Sequence, residues 1–483
     1  MKNLKVWGLA LTILLCLVAG LTACGGNGDP ADTTDTDATG TDTPTDAPTD
    51  APTEAPTEAP TEPATEAPTE TAVVTEEETP TEEVTTESVT EPETEDYSLH
   101  IPASKLDDTM TPLFSGSSVQ NETVMFLDPG QAKSLLYKAD EILSVTSYDG
   151  KITYVEGKDY ELKDGQIVAL EGTSIPCITS EVYYGADSSS LLMTKYNGKN
   201  VYTYWGEATA MTRWQVCVTY THSDTWEGYT QETQTAVYQS LIQKLKDGED
   251  VTVIFYGDSI TFGANASFIV GCEPGQQSYP LLFVKALADL FDYRVQYVNT
   301  GLSGTSRVPS ADYVPVEDYK GTITYINPSV GGWTSQNGVD NFNTYVKPQV
   351  EKYGCDLFIV AFGMNDAAVA PATTMQNMLK IMKNVEALAP ESLYMVVSTM
   401  VPNPNATNGW YGYQEKQETV LLNKTLMEGK CAVACVTSVS KAVLEHKEFM
   451  DYTGNNINHP NDFFSRVYVQ TLFQTFIGYE NLD

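Results

Sequence analysis

Five apolar runs in the second half of the chain limit its possible folds more than any other feature. They are "VTVIFYG" (251–257), "RVQYVNTG" (294–301), "CDLFIVAFG" (355–363), "LYMVVSTMVP" (393–402) and "CAVACVTS" (431–438). Near-continuous apolar residues, rather than alternating ones, suit strands whose sheet is covered on both faces. The stretches between them carry helical periodicity. In "TTMQNMLKIMKNVEALAP" (373–390), Met375, Met378, Leu379, Met382 and Val385 fall on one side, which makes a core-facing stripe. Alternating strand and helix predicts a three-layer α/β/α domain on a parallel sheet. Ligands of such sheets bind in loops at the carboxyl ends of strands, and functional residues are to be sought there.

The preceding region reads differently. "ILSVTSYDGKITYVEGKDYELKDGQIVAL" (142–170) alternates apolar with polar residues and breaks at Asp149-Gly150, Gly157-Lys158 and Asp164-Gly165. These are hairpin signals. "NVYTYW" and "RWQVCVTYTH" continue in the same style. An all-β domain, an antiparallel sandwich or jelly-roll-like arrangement, is expected over 97–232. Its Trp205, Trp214 and Trp226 are either core or a sugar-stacking surface. A helix then opens the second domain, 233–483. Val237, Leu241, Ile242 and Leu245 share its inner face and Gly248 stops it.

Residues 25–96 are built from Thr, Pro, Glu, Asp and Ala, with a four-residue repeat, "DAPTDAPTEAPTEAPTE". Such a segment has nothing to bury and its charges repel, so it is expected to be a disordered stalk. Extended at about 3.1 Å per residue, it would reach on the order of 200 Å. It also explains most of the formal charge of −38. Residues 29–96 hold 22 acids and no base, leaving 43 acids against 25 bases, or −18, in 97–483. No basic stripe points to nucleic acid, and an acidic surface favours neutral ligands over polyanions.

Ahead of the stalk, Lys2 and Lys5 precede an apolar run, Val6 to Ala23, and "LTAC" (21–24). This has the form of an export signal and resembles the lipobox of bacterial lipoproteins, with Cys24 as the lipidated first residue of the mature chain. The other reading is a plain membrane-spanning anchor. Both put the bulk of the protein outside the cell. The first reading places it on the extracellular face of a bacterial membrane, with residues 1–24 as signal peptide and lipobox. Of the later cysteines, Cys177, Cys217, Cys272, Cys355, Cys431 and Cys435, several sit in apolar stretches. They read as buried thiols, although an even count in an exported protein is also compatible with disulfides.

Four strand exits carry polar residues suited to chemistry. "VIFYGDSITFG" exposes Ser259 at a strand-to-helix turn. "VNTGLSGTSR" offers Gly304, where the backbone N–H can approach a ligand. "AFGMNDA" offers the amide of Asn365, able to donate to a developing oxyanion. "NNINHPND" (455–462) holds His459, one of four histidines, just before a C-terminal helix. His100, His222 and His446 are scattered and lie near no carboxylate cluster, so a metal-dependent deacetylase is disfavoured.

In this order, "GDSIT", "GLSG", "GMND" and "NHPND" resemble the four sequence blocks of the SGNH (GDSL-type) hydrolases, over about residues 250–483. The resemblance implies Ser259 as nucleophile and His459 as general base. It also implies an oxyanion hole from the N–H groups of Ser259 and Gly304 and the amide of Asn365, with Asp258 as a structural hydrogen-bonder. No metal or organic cofactor is implied. A β domain before the hydrolase is similar to the layout of carbohydrate esterase family 2, whose members deacetylate plant polysaccharides. The expected function is therefore an extracellular esterase acting on an acylated glycan. A lipase or aryl esterase of the same mechanism, and a glycan-binding protein on a hydrolase scaffold, are the alternatives. Trp333, Trp410, Tyr411 and Tyr413 would then line a cleft or anchor loops.

One position departs from the family pattern. Three residues before the histidine, where the family has Asp, stands Asn456. A Ser259–His459 dyad is expected, with the ring oriented by a backbone carbonyl or the Asn456 oxygen. Asp462 and Asp451 are the nearest carboxylates in sequence, and Asp462 is expected to cap the following helix.

Overall fold

Residues 97–483 are described by a computed structural model, apart from 189, 407–410 and 425. The apolar leader, Cys24 and the acidic repeat fall outside the described residues. From 97 to 232 every sheet is antiparallel. In the first, β1 (Ser118–Met125) and β3 (Glu141–Ser147) flank β8 (Gln215–Thr221). The second has the order β2 (Ala132–Lys133), β5 (Gln166–Ala169), β4 (Tyr160–Lys163), and the third is a hairpin of β6 (Met193–Tyr196) and β7 (Lys199–Tyr202). Asp164 and Gly165 join β4 to β5 with φ of 53° and 78°, the pair of positive values that matches a hairpin turn to strand twist.

The helix Thr235–Asp247 follows, burying Leu241, Ile242 and Leu245, and Gly248 ends it at φ 79°. Beyond it the apolar runs become β9 (Val251–Gly257), β10 (Tyr293–Val298), β12 (Leu357–Ala361), β13 (Leu393–Val397) and β14 (Cys431–Ala434). A sixth strand, β11 (Gly321–Ile326), arises from "GTITYI". Its threonines break the apolar run, which hides it from a search for fully buried strands. All six are parallel, in the order β10-β11-β9-β12-β13-β14.

Burial on both faces follows from the strand period of two. Val253 and Phe255 of β9 enter a core that continues through Val124, Val218 and Tyr220 of the antiparallel sheets. Ile254 and Tyr256 enter the opposite core with Phe342, Met378, Met382 and Val385. The chain runs from β9 outward to β10, back to β11, then across to β12 on the other side of β9. Its direction of winding therefore reverses beside the carboxyl end of β9, where open α/β sheets place their sites.

Candidate active site

β9 ends at Gly257 and the chain turns at once into the helix Ser259–Phe262. Only glycine fits at 257. A Cβ there would lie 2.3 Å from the Ala361 carbonyl oxygen and 2.4 Å from Thr261 Oγ1. Asp258 caps the short helix, its Oδ1 accepting from the Ile260 N–H at 3.0 Å. Burial pushes the Asp258 carboxyl up to about 7, so the group holds the turn but is a weak source of charge at neutral pH.

This turn delivers Ser259 Oγ to within 2.9 Å of His459 Nε2. Both residues are 3% exposed. At the other end of the ring, Nδ1 lies 2.7 Å from Asn265 Oδ1. Asn265 Nδ2 donates to the carbonyls of Ala208 and Gly454, each at 3.2 Å, so its oxygen must face the ring. Nδ1 therefore carries the proton, and bare Nε2 accepts from the Ser259 hydroxyl. Asn455 Nδ2 also approaches Nδ1, at 3.0 Å. With Nδ1 protonated this is donor against donor and not a hydrogen bond. The Asn455 amide is instead satisfied by Glu207 Oε1 (3.1 Å) and Asn458 Oδ1 (3.2 Å). Glu207 Oε2 lies 3.4 Å from His459 Nδ1.

The histidine loop is shaped by the same asparagine. Asn455 Oδ1 collects the N–H groups of Ile457, Asn458 and His459 at 2.9, 3.0 and 3.0 Å, a turn that a short side-chain carbonyl makes readily. The orienters expected from sequence lie elsewhere. Asn456 faces away, donating to Tyr183 OH and the Tyr204 carbonyl, both at 2.8 Å, and accepting from Asn403 at 3.0 Å. Asp462 is the first helical residue rather than the cap, which is Asn461. Its Oδ1 accepts from the Ser267 N–H at 2.9 Å. Asp451 accepts from the Met125 N–H and pairs with Lys133 at 3.0 Å. A side-chain amide, Asn265, takes the place expected of a backbone carbonyl.

The exits of β11 and β12 flank the serine. Asn365, after β12, donates one amide N–H to the Trp333 carbonyl at 3.0 Å, leaving its second for a ligand. The loop after β11 is tied to the backbone on either side of Ser259. Asn327 donates to the Thr261 carbonyl (2.8 Å), Ser329 Oγ accepts from the Gly257 N–H (2.8 Å), and the Val330 N–H donates to the Gly257 carbonyl (3.2 Å). Gly332 follows in this loop at φ 76°. Gly304 stands one strand further out, on the exposed loop after β10. Its nearest neighbour toward the site is Val330, whose Cγ1 would lie 3.4 Å from an added Cβ.

The other histidines are remote in role. His222 stacks on Tyr137 at 3.7 Å, and His446 packs on Trp226 at 4.8 Å. All six cysteines of the described region are free thiols. Trp226 is buried, while Trp333 is half-buried and packs edge-on against Tyr256 and Tyr345. Tyr411 is exposed and Tyr413 half-buried, and Trp410 lies outside the described residues. A groove of about 810 Å³ lined by Tyr148, Thr209, Arg213, Ser267, Phe268 and Arg307 begins two residues from both Glu207 and Asn265.

With the serine–histidine pair and its flanking loops in place, residues 253–469 match the family profile of GDSL-like lipases and acylhydrolases. This is a GDSL-type hydrolase domain. No curated protein matches the sequence. Among solved structures, the chain is similar to a two-domain esterase (CEX) active on acetylated mannans, at 16% identity and a TM-score of 0.37. That likeness covers 52% of this chain and only 56% of the length of the esterase. It is also similar to Axe2, an acetylxylan esterase from Geobacillus stearothermophilus, at 14% identity, 48% and 96% coverage and a TM-score of 0.34. The lipase Lip_vut3 from a goat rumen metagenome matches at 12% identity, 47% and 99% coverage and a TM-score of 0.32.

Three residues around the GDSL-domain serine escape a reading by sequence blocks. Asn265 lies six residues after Ser259, in "GANAS", with no motif to mark it, and the structure places it at φ 67°. Gly332 follows the strand that threonines disguise. Glu207 comes from "WGEATA", ahead of the family match, with no motif to mark it.

Proposed function

We propose that the chain is a serine esterase that removes O-acetyl or other short acyl groups from a polysaccharide. The reading rests on one observation above the rest: Ser259 Oγ at 2.9 Å from His459 Nε2, on a ring whose far nitrogen is held by Asn265. Neutral His459 takes the hydroxyl proton as Oγ attacks the ester carbonyl carbon. The carbonyl π electrons move to oxygen, forming a tetrahedral oxyanion beside the N–H groups of Ser259 and Gly332 and the free amide N–H of Asn365. We assign Gly332 rather than Gly304 because its loop is the one bonded around Ser259. Collapse of the intermediate expels the sugar alkoxide, which receives the proton from His459, and leaves acyl-Ser259. Water then adds by the same route, its proton passing through His459, and releases the acid and free serine.

The near-complete burial of Ser259 favours a small acyl group over a long chain. The adjoining groove, with the aromatic rings of Tyr148 and Phe268 in its lining, suits an extended sugar polymer. An export signal with a lipidated Cys24 and a long acidic stalk would set the enzyme at the cell surface, where such polymers are met. The test is acetate release from acetylated xylan, mannan and peptidoglycan and from an aryl acetate, beside Ser259→Ala. Wild type should release acetate from at least one polymer, and the variant should fall by roughly 10⁴-fold or more. Equal inactivity of the two proteins on all four substrates, or a preference for acyl chains of about eight carbons, would overturn the reading.

A further inference from the structure

Glu207 stands outside the GDSL-type segment, in the chain between β7 and β8, yet it reaches the catalytic histidine. Its Oε2 is 3.4 Å from His459 Nδ1 and its Oε1 accepts from Asn455 Nδ2 at 3.1 Å. The surrounding segment is stitched to the same site. The Gly206 N–H donates to the Asn455 carbonyl (3.3 Å), the Ala208 carbonyl accepts from Asn265 (3.2 Å), and the Tyr204 carbonyl accepts from Asn456 (2.8 Å). Ala208 sits at φ 57°, a left-handed conformation that a side chain with Cβ resists. Strain of this kind persists only where surrounding contacts over-determine it, and it gathers at functional sites.

We propose that Glu207 is the counter-charge of the esterase, a positioning residue supplied by the N-terminal β region in place of the acid missing at 456. The inference rests on the Ser259–His459 reading above. During attack the imidazole gains the Ser259 proton and becomes a cation, its Nδ1–H bonded to Asn265 Oδ1 and within ion-pair distance of Glu207 Oε2. Asn265 Oδ1, the nearer, fixes the ring plane. The Glu207 carboxylate contributes the negative charge that a neutral amide lacks. Its ionisation is secured by the site itself. Burial pushes the carboxyl up, but the charge of His459 once it is protonated and the hydrogen bonds of His459, Asn455 and Asn265 outweigh this and hold it below the usual carboxylate range. Among the described residues, Asp258 on the serine side also feels the charge of His459. Glu207 and Asp258 thus flank the pair from opposite ends, the first ionised and the second kept partly protonated at neutral pH by burial. The family match begins at residue 253, so the hydrolase segment by itself lacks its counter-charge.

The experiment compares Glu207→Gln and Glu207→Asp with wild type in the full chain, using an aryl acetate across pH 4–9. Glutamine keeps the shape and the Asn455 contact, removes the charge and turns an amide NH2 toward His459 Nδ1 in place of the carboxylate oxygen. A charge-assisted hydrogen bond is worth roughly twice a neutral one, so kcat should fall by roughly 10- to 100-fold with KM within about threefold. Without the carboxylate the imidazolium loses its partner, so the acid limb of kcat/KM should move to lower pH. Asp258 is unchanged in the comparison and cannot produce that movement. Glu207→Asp should keep the acid limb near its wild-type position. A Gln variant within threefold of wild type, or one that loses activity with its acid limb unmoved, overturns the proposal. Ser259→Ala separates the two failures. If it abolishes turnover while Glu207→Gln behaves as wild type, the esterase reading stands and only the role of Glu207 falls.

Discussion

Replacing Asn265 and Asn456 separately by alanine tests which side chain orients the His459 ring. Both residues have positive φ, 67° and 62°, so the backbone penalty of alanine is shared and the difference between variants reports the side chains. Asn265→Ala removes the 2.7 Å acceptor of His459 Nδ1–H, leaving only Glu207 at 3.4 Å. The lost bond, about 1 kcal/mol, together with a freer ring should lower kcat by roughly 10- to 100-fold at nearly constant KM. Asn456→Ala removes three buried hydrogen bonds, to Tyr183, Tyr204 and Asn403, none of them to the ring. It should lower stability by about 2–4 kcal/mol and leave kcat within about threefold. For a cooperative unit of this size, unfolding entropy near 2.1 cal/mol/K per residue translates that loss into a fall in Tm of roughly 2–5 °C. Turnover of an aryl acetate at 25 °C, below both transitions, and a thermal melt of each variant supply the two readouts. A 30-fold loss of kcat in Asn456→Ala beside a near-normal Asn265→Ala would refute the assignment.

Lys447 and Glu122 form an ion pair with both side chains 0% exposed, and Glu122 also accepts from Tyr220 OH (2.7 Å) and the Leu136 N–H (2.9 Å). Lys447→Met should cost about 3–5 kcal/mol by stranding the carboxylate, and adding Glu122→Gln should recover part of it. Because this pair joins β1 to the hydrolase segment, a calorimetric scan should show the whole described region shifting together. Burial pushes the Asp462 carboxyl up to about 6 from 3.8, so its ionisation destabilises the fold. That stability is complete below about pH 4 and is lost as pH rises through 6. Asp462→Asn should therefore gain up to about 3 kcal/mol at pH 8 relative to wild type, read by denaturant titration at both pH values. Its kcat should stay within about tenfold, since Asp462 does not touch His459.

Local pattern was enough for what depends on neighbours in sequence. The both-face burial of β9 and β12, the methionine stripe of the helix Pro371–Glu386, and the stop at Gly248 follow from side-chain periodicity and backbone sterics. The turn that presents Ser259 was likewise visible, because a buried strand ending in glycine leaves few conformations. β11 was not, since alternating Thr and Ile is compatible with strands of several kinds and only its neighbours bury it. That strand, inserted between β10 and β9, moves the loop of Gly332 to the serine and the loop of Gly304 outward. The setting of His459 was least legible. "NNINHPND" shows that the family acid is absent, but no property of those eight residues names what stands in for it. Asn265 lies 194 positions away and Glu207 lies 252 away. Hydrogen bonds depend on distance in space, and only the packing of the antiparallel region against the parallel sheet brings an amide and a carboxylate to the far side of the ring.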